Sequence, residues 1–252
     1  MTTERDRTNS DQTGLDQTGP DQTGPDETGL DETGGPGLYE GLITTRAIRR
    51  YRTDDVPEAD LNRMLFAATR APSGHNRQPF RFVVIRRTPD MAEVRATLAR
   101  GFRDAWAGQR QDPPEADTTR PARMARTMSH FVDHIAEAPV IVLACLDTRV
   151  RQSDLLAGAS VYPACHNLLL AAHALGYGGT MTAWHQSVAD ELARLLGLPE
   201  QVVIAAAIPL GRPVGGHGPV RRLPLSELVY ENRWENPAPW AVDPSGTRYT
   251  GG

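Results

Sequence analysis

The stretch that most constrains the fold of this chain is residues 155–175, which are apolar on nearly all sides. A helix that is apolar all round must be covered by other elements, so this stretch predicts a buried core helix. Gly176 follows directly and suits the left-handed conformation that ends many helices. We therefore expect a domain whose other elements pack around this helix.

Helix and strand signals alternate along the chain from residue 37 onward. Helices are predicted over 38–45, 57–70, 89–109, 121–137, 188–196 and 225–230, with Pro57 in a first turn and Ser187 as a cap. Strands are predicted over 80–86, 140–145, 178–184 and 202–210, and the β-branched run 140–145 is expected at the centre of the sheet. This order predicts an α+β domain with a mixed sheet flanked by helices.

The first part of the chain has a different composition. Residues 11–35 repeat a five-residue unit, DQTGL-DQTGP-DQTGP-DETGL-DETGG, with almost no apolar side chains. Such a segment cannot bury enough surface to offset the entropy of ordering. We expect residues 1–36 to form a disordered acidic tail and residues 37–252 to form one domain with a C-terminal arm. The spacing of the Asp residues does not match an EF-hand loop, so no metal site is expected in the tail.

Charge and hydropathy narrow the classes of partner. The formal net charge is −4 and no Lys/Arg-rich tract reaches the length seen in nucleic-acid-binding arms, which argues against nucleic acid and favours small molecules. The opening residues carry no hydrophobic segment, and the longest apolar run, around 202–210, is too short to cross a bilayer. We expect a soluble, cytoplasmic protein without membrane contacts.

Cysteines and histidines give no sign of a metal site. Cys145 and Cys165 lie in apolar runs without Cys-x-x-Cys spacing, so they are expected to be reduced and buried. His166 and His173 share one face of the apolar helix, but no Cys or carboxylate completes a ligand set. Core or interface positions are therefore expected for this pair. The two histidines that are candidates for substrate contact are His75 and His185.

Two short segments contain the residues that indicate which kind of ligand the protein binds. In residues 45–51, Thr-Arg-Ala-Ile-Arg-Arg-Tyr, a helical turn would place Arg46, Arg49 and Arg50 on one face. Guanidinium groups so placed suit a phosphate. Residues 71–82 are rich in turn residues and lead into a buried strand. The short polar side chains of this segment that can hydrogen-bond a planar, polar heterocycle are Ser73, Asn76 and Gln78.

These segments together resemble the nitroreductase family of FMN-dependent oxidoreductases. In that family an Arg-rich stretch grips the flavin phosphate, and a Pro-Ser-x-x-Asn-x-Gln-Pro-aromatic stretch contacts the flavin ring. Residues 72–80 match the second pattern, with Phe80 where Trp is usual. The first pattern is commonly Arg-Arg-Ser-x-Arg-x-Phe, and Thr45 and Ala47 replace its first Arg and its Ser. One hydroxyl donor is therefore missing, so Arg46 or Arg50 must compensate.

Two further segments extend the resemblance to roughly residues 38–235. Gly178 and Gly179 follow the long helix and would let backbone groups approach the reactive N5 atom of the flavin, although a plain helix cap and turn is the simpler alternative. Arg222 precedes a Leu-Pro pair and is expected to return to the phosphate. Arg212 and Arg221 are expected to be solvated.

The resemblance implies an intertwined homodimer with two FMN sites at the subunit interface, each lined by both chains. The segment 231–240, which holds Trp234 and Trp240, would suit an arm that crosses onto the partner or wraps its own subunit. The implied reaction is ping-pong, in which NAD(P)H reduces FMN and leaves before a nitroaromatic, quinone or similar small acceptor is reduced. No side chain need act as acid or base, so no catalytic residue is expected.

Two alternatives remain open at this point. A related flavoenzyme would oxidise a small organic substrate and pass the electrons to oxygen. A protein of a different class would store flavin or serve in stress with little turnover, which the replacements at Thr45 and Ala47 make plausible.

Overall fold

The computed structural model describes residues 35–149, 154–216 and 220–249. Its helices are α1 (Leu38–Thr44), α2 (Glu58–Ala68), α3 (Ala92–Ala107), α4 (Arg120–Asp133), α5 (Asp154–Ala174) and α6 (Ala189–Leu195). Its strands are β1 (Phe80–Arg86), β2 (Val140–Asp147), β3 (Gly178–Gly179), β4 (Val202–Gly211), β5 (Arg221–Arg222) and β6 (Arg248–Tyr249). The α+β class expected from the sequence is confirmed.

The main sheet has four strands in the order β1-β2-β4-β3, so β2 lies inside it, as expected. Every pairing in this sheet is antiparallel, with Phe80 opposite Leu146 and Val140 opposite Leu210. A mixed sheet was expected, but the parallel pairing among the described residues joins β5 to β6 in a separate small sheet. Strand direction follows from how the connections run, and an apolar run in the sequence does not record it.

Both faces of the main sheet are covered by helices. Successive side chains of β2 point to opposite faces. Val142 and Ala144 pack with α2 and α5, whereas Ile141 and Leu143 pack with α3, α4 and α6. Because all four side chains are buried, β2 is an unbroken apolar run rather than an alternating one.

Helix α5 is less enclosed than its composition predicts. Leu168 and Ala172 are buried in the core that α5 shares with the sheet and α2. Tyr162 and His166 are exposed in the single chain. Gly176 has a φ of +75°, which confirms the expected glycine at the end of this helix. An apolar helix with one open side indicates a surface that a further element or subunit can cover.

The predicted strand 178–184 is shorter than expected. It pairs with β4 only at Gly178 and Gly179, and the chain then leaves the sheet except for one bridge between Thr182 and Ala207. The Trp184 side chain packs into an aromatic cluster on the face of the sheet that α3, α4 and α6 cover. The cluster also contains Phe102, Trp106 and Phe131. Burial of this large ring ends the strand, and nothing in the local sequence signals it.

Three other local predictions were wrong. The turn Gln186–Val188 precedes α6, and no side chain caps the helix, so Ser187 is not a cap. The predicted helix 225–230 is a single 3₁₀ turn, Leu225–Glu227. Residues 45–50 do not form the helical turn that would align the three arginines. A contact with a distant part of the chain prevents a helix here, because the Ile48 backbone N–H donates to the Gly179 carbonyl at 2.9 Å.

The predicted tail falls almost wholly on residues 1–34, which lie outside the described residues. Gly35 is described and is buried against Ala174 at the end of α5. The domain therefore makes contacts from residue 35 onward. No helix among the described residues is both long and apolar enough to cross a membrane.

Candidate functional site

A cavity of about 990 Å³ lies between α1, α5, β3 and the C-terminal residues 243–248. We call it the large cavity, and its volume is typical of a small-molecule or cofactor site. Four of the nine predicted cofactor-binding residues line it, and these are Arg46, Gly178, Gly179 and Arg222. The five that do not line it are Arg49, Arg50, Ser73, Asn76 and Gln78. The structure of one chain thus brings together only part of the predicted site.

The three arginines of the first segment do not share a face. Residues 45–50 form no helix, so the helical spacing that would place the three side chains on one face is absent. Arg46 lines the large cavity, whereas Arg49 lines a small cavity of about 120 Å³ beside His130 and His134. Burial lowers the pKa of the Arg49 guanidinium, and the positive charge of Arg46 adds to this effect. The predicted fork was wrong because it assumed helical spacing.

Gly178 and Gly179 are needed for packing within the chain. A Cβ at Gly178 would lie 2.9 Å from the Cβ of Ile48, and one at Gly179 would lie 2.6 Å from the Pro209 carbonyl oxygen. Neither glycine has a positive φ. The missing side chains therefore let Ile48 and β4 approach the backbone closely. These contacts favour the simpler structural alternative, although both glycines also form part of the cavity wall.

The second segment forms a strained loop outside the large cavity. His75, Asn76 and Gln78 have φ values of 53°, 53° and 47°, which non-glycine residues rarely adopt. The Gln78 backbone N–H donates to Ser73 Oγ at 2.9 Å, and the Gln78 side-chain amide donates to Asn76 Oδ1 at 3.1 Å. Strain of this kind persists where the surrounding structure holds it and is frequent at functional sites. Because Asn76 and Gln78 are exposed, both can reach a ligand or another chain.

Arg222 reaches the large cavity from the small parallel sheet. Strand β6 pairs with β5, which places Arg248 opposite Arg221 and near Arg222. Arg248 lines the large cavity, as do Ser245 and Thr247. Sequence reasoning missed these three residues. They lie in a Pro- and Gly-rich stretch without a recognisable motif, and the positive charge of Arg248 was the only available signal.

Arg212 was expected to be solvated, but it is bound to the wall of the large cavity. Its guanidinium lies 4.4 Å from the centre of the Tyr177 ring, and Nη2 donates to the Tyr177 hydroxyl at 3.2 Å. That hydroxyl donates to Asp60 on α2 at 2.7 Å. Burial raises the pKa of Tyr177, and the bond to Asp60 adds to the rise. Asp60, Tyr177 and Arg212 therefore fix the turn before β3 against α2.

The histidines are placed differently from one another. His75 lies exposed in the strained loop, whereas His185 is only 1% exposed and donates from Nε2 to the Ile204 carbonyl at 2.9 Å. His185 therefore lies out of reach of a substrate. His166 and His173 line the large cavity, and His173 Nε2 lies 2.9 Å from Thr44 Oγ1. In the parts of the chain that the structure describes, no group of three or more His, Cys, Asp and Glu could hold a metal ion.

Both cysteines are buried and free, as expected. Burial raises the pKa of the Cys145 thiol to about 11 and that of Cys165 to about 12. Thiols with such pKa values are protonated and unreactive at neutral pH. Neither cysteine is a nucleophile for the site.

Fold and cavity together define an α+β protein with a large, arginine-bearing ligand cavity beside the edge strand β3. The nitroreductase family model matches residues 42–212. A protein from Thermus thermophilus named NADH dehydrogenase is 32% identical over 194 residues, which cover 73% of this chain and 90% of that protein. The 5,6-dimethylbenzimidazole synthase of Rhodospirillum rubrum is 30% identical over 202 residues, covering 76% and 88% of the two chains.

A solved structure is similar at the level of the whole fold. It is a protein from Desulfovibrio desulfuricans described as a nitroreductase in complex with FMN, 30% identical, with a TM-score of 0.58 and coverage of 78% of this chain and 96% of the other. These matches confirm the resemblance drawn from the two motif segments. The chain belongs to the nitroreductase family and is an oxidoreductase of that family.

Proposed function

We propose that the protein is an FMN-dependent oxidoreductase that takes a hydride from NAD(P)H and reduces a nitroaromatic, quinone or similar small acceptor in a ping-pong cycle. The observation that carries this proposal is the large cavity with Arg46 and Arg222 in its lining. The names of the similar proteins, an NADH dehydrogenase and a nitroreductase in complex with FMN, support it.

The residues of the large cavity fit the phosphate end of FMN. Arg46 and Arg222 are donors of the charged, forked kind that phosphates favour. Thr45 also lines the cavity, so its hydroxyl can donate to the phosphate where the family pattern has an arginine. Ala47 does not line the cavity, and the loss of a Ser at this position therefore removes less than the sequence suggested.

The chain contributes binding and orientation rather than acid or base catalysis. FMN supplies the hydride-transfer chemistry when it is bound. Arg46 and Arg222 would hold its phosphate, and Ser73, Asn76 and Gln78 would contact its ring. His166 and His173 line the cavity, and the one carboxylate among its described lining residues, Asp243, already accepts a hydrogen bond from the Leu225 N–H.

The ring contacts would come from a second copy of the chain, in a homodimer with two shared sites. The loop 73–78 does not line the large cavity of its own chain. Helix α1 exposes Leu38 and Tyr39 by 78% and 69%, and α5 exposes Tyr162 by 45%. Apolar side chains so exposed on neighbouring helices are typical of an interface. Dimerisation would cover them and would bring a partner loop to the cavity.

The visible spectrum of the purified protein tests the cofactor. We expect flavin absorption as purified or after addition of FMN, and NAD(P)H consumption when a nitroaromatic is supplied. Arg222→Gln should lower FMN occupancy after dialysis, whereas Arg103→Gln, at an exposed position on α3, should not. A protein that stays colourless with added FMN would refute the proposal.

A second candidate function is oxidation of a small organic substrate with electrons passed to oxygen. The similarity to 5,6-dimethylbenzimidazole synthase favours it. Both candidates use the same cofactor site, so FMN binding does not separate them. Steady-state NAD(P)H oxidation with a nitroaromatic or quinone acceptor does, because the oxidase would show slow NAD(P)H consumption even when fully loaded with FMN.

A further inference from the structure

We propose that the C-terminal segment 243–248, here called the C-terminal clasp, closes over the cofactor phosphate and that Arg248 binds this phosphate directly. The inference rests on the proposed binding of FMN in the large cavity. It adds a phosphate ligand that lies beyond residue 212, where the match to the family model ends.

The clasp is held in place at three points. Strand β6 pairs in parallel with β5, with Arg248 opposite Arg221 and Tyr249 opposite Arg222. The Leu225 N–H donates to the Asp243 carboxylate at 3.0 Å. Between them a turn closes where the Thr247 N–H donates to the Pro244 carbonyl at 3.2 Å, with Gly246 at a φ of +82°. A glycine at this φ is what a type II turn requires, so the turn sets the position at which β6 begins.

The charges of the residues that line the large cavity favour an anionic ligand. Arg46, Arg222 and Arg248 line the large cavity, and Asp243 is the one carboxylate among the described lining residues. Asp243 already accepts the bond from Leu225. Like charges opposite each other on paired strands repel, and Arg248 stands opposite Arg221. A dianionic phosphate bound by Arg222 and Arg248 would offset the positive charge that β5 and β6 bring together, and would so stabilise their pairing.

The clasp also supplies what the N-terminal segment lacks. The sequence has no Arg at position 45, and Arg49 lies at the other, smaller cavity. Arg248 adds a third arginine to the lining of the large cavity, and Ser245 and Thr247 line the same cavity. The donors of the phosphate site would thus come from both ends of the described chain.

The test compares FMN with riboflavin, which lacks the phosphate. Dissociation constants of both are measured by flavin fluorescence titration of the full-length protein, its Arg248→Gln variant and an Arg233→Gln control. Arg233 is exposed on the same C-terminal stretch and does not line the cavity. We expect Arg248→Gln to raise the Kd for FMN by about five- to twentyfold, a charged hydrogen bond discounted for exposure. The Kd for riboflavin should not change, and Arg233→Gln should leave both constants unchanged.

A second readout is proteolysis by trypsin after Arg248. FMN should slow this cleavage and riboflavin should not, because only the phosphate holds the clasp. An unchanged ratio of FMN to riboflavin affinity in folded Arg248→Gln, or equal cleavage with both ligands, would overturn the inference. If Arg222→Gln weakens FMN binding and Arg248→Gln does not, the proposed role of Arg248 is wrong and the proposed function still holds. If the unmodified protein binds no FMN, both the role of Arg248 and the proposed function are wrong.

Discussion

At the scale of single residues, the loop 73–78 shows the largest departure from ordinary backbone geometry. Three non-glycine residues within four positions have a positive φ. Each costs roughly 1–2 kcal/mol relative to a conformation that favours its side chain. A hydrogen bond from the Gln78 backbone N–H to the Ser73 hydroxyl holds the loop, which is also the part that matches the ring-binding pattern of the family. The strained backbone lowers the stability of the protein but keeps the polar side chains of the loop in fixed positions.

Relief of this strain should raise stability. We expect His75→Gly to raise the free energy of unfolding by roughly 0.5–1 kcal/mol, because glycine adopts a φ of 53° without a clash, partly offset by its greater freedom when unfolded. Arg77, with a φ of −76°, is the matched control in the same loop, and Arg77→Gly should lower stability. Urea unfolding measures both. Equal effects of the two substitutions would contradict the argument.

Two histidines, the buried His185 and the partly buried His130, should make the protein sensitive to acid. Burial lowers the pKa of His185 below 6.5, and burial together with His134 and Arg50 lowers that of His130. The unfolded chain then binds more protons between the ordinary and the folded pKa. Stability from each group is complete above pH 6.5 and falls as the pH drops through the folded pKa; for the buried His185 the slope is at most about 1.4 kcal/mol per pH unit, and for the partly exposed His130 it is smaller because solvent screens the charge.

The measurement is urea unfolding at several pH values from about pH 7 down to about pH 5, the range in which histidine titrates. His185→Asn should reduce the slope of stability against pH, even if it lowers stability at neutral pH. An exposed histidine, His75, provides the control substitution. An unchanged slope in His185→Asn would show that this imidazole is not responsible.

At the scale of elements, the segment 45–52, which forms no helix, is fixed by its neighbours and not by its own propensity. Ile48 donates to the Gly179 carbonyl at 2.9 Å, and Arg52 donates to the Arg212 carbonyl at 2.8 Å. The segment therefore lies along β3 and beside the end of β4. In this arrangement Arg46 lines the large cavity and Arg49 lines the small one.

The contact between Ile48 and β3 can be tested by overpacking. A Cβ at Gly178 would lie 2.9 Å from Ile48 Cβ, so Gly178→Ala should lower the free energy of unfolding by about 1–3 kcal/mol. Gly108→Ala is the control, since no atom lies within 4 Å of a Cβ there. The double variant with Ile48→Ala should recover part of the loss relative to the sum of the single changes. Additive effects would show that the two residues do not compete for space.

At the scale of the whole molecule, the two residue sets of the proposed cofactor site do not meet within one chain. Arg46 and Arg222 line the large cavity, and Asn76 lies in a loop outside it. If the ring contacts come from a second chain, FMN binding and dimerisation stabilise each other by mass action. The exposed apolar residues of α1 and α5 would then be covered in the same step.

Subunit exchange tests this sharing. An Arg222→Gln chain mixed with an Asn76→Ala chain should form heterodimers with one intact site and one doubly damaged site. Flavin occupancy should therefore rise above that of either variant alone, and absorption per chain measures it. If both halves of each site came from one chain, every site would keep one defect and mixing would change nothing. A protein that stays monomeric at micromolar concentration with FMN bound would also contradict sharing.

Removal of residues 1–34 should leave stability and flavin binding nearly unchanged, because the repeat has almost no apolar side chains to contribute to a core. Thermal unfolding and FMN titration of the shortened chain check this. Extending the deletion through Gly35 and Pro36 should lower the melting temperature, since Gly35 is buried against Ala174. A large loss on removing only 1–34 would show that the repeat supports the fold.

The sequence by itself determined the family, the α+β class, the positions of the long helices and the central place of β2. These features follow from local periodicity, from runs of buried side chains and from contiguous motifs such as residues 72–80. The sequence could not determine the direction of the strands, the early end of β3 at Trp184 or the different cavities of Arg46 and Arg49. It also could not show that Arg248 and Arg222 line the same cavity. Each of these depends on contacts between residues far apart in the chain, such as Ile48 with Gly179, and such contacts form only when the whole domain is packed.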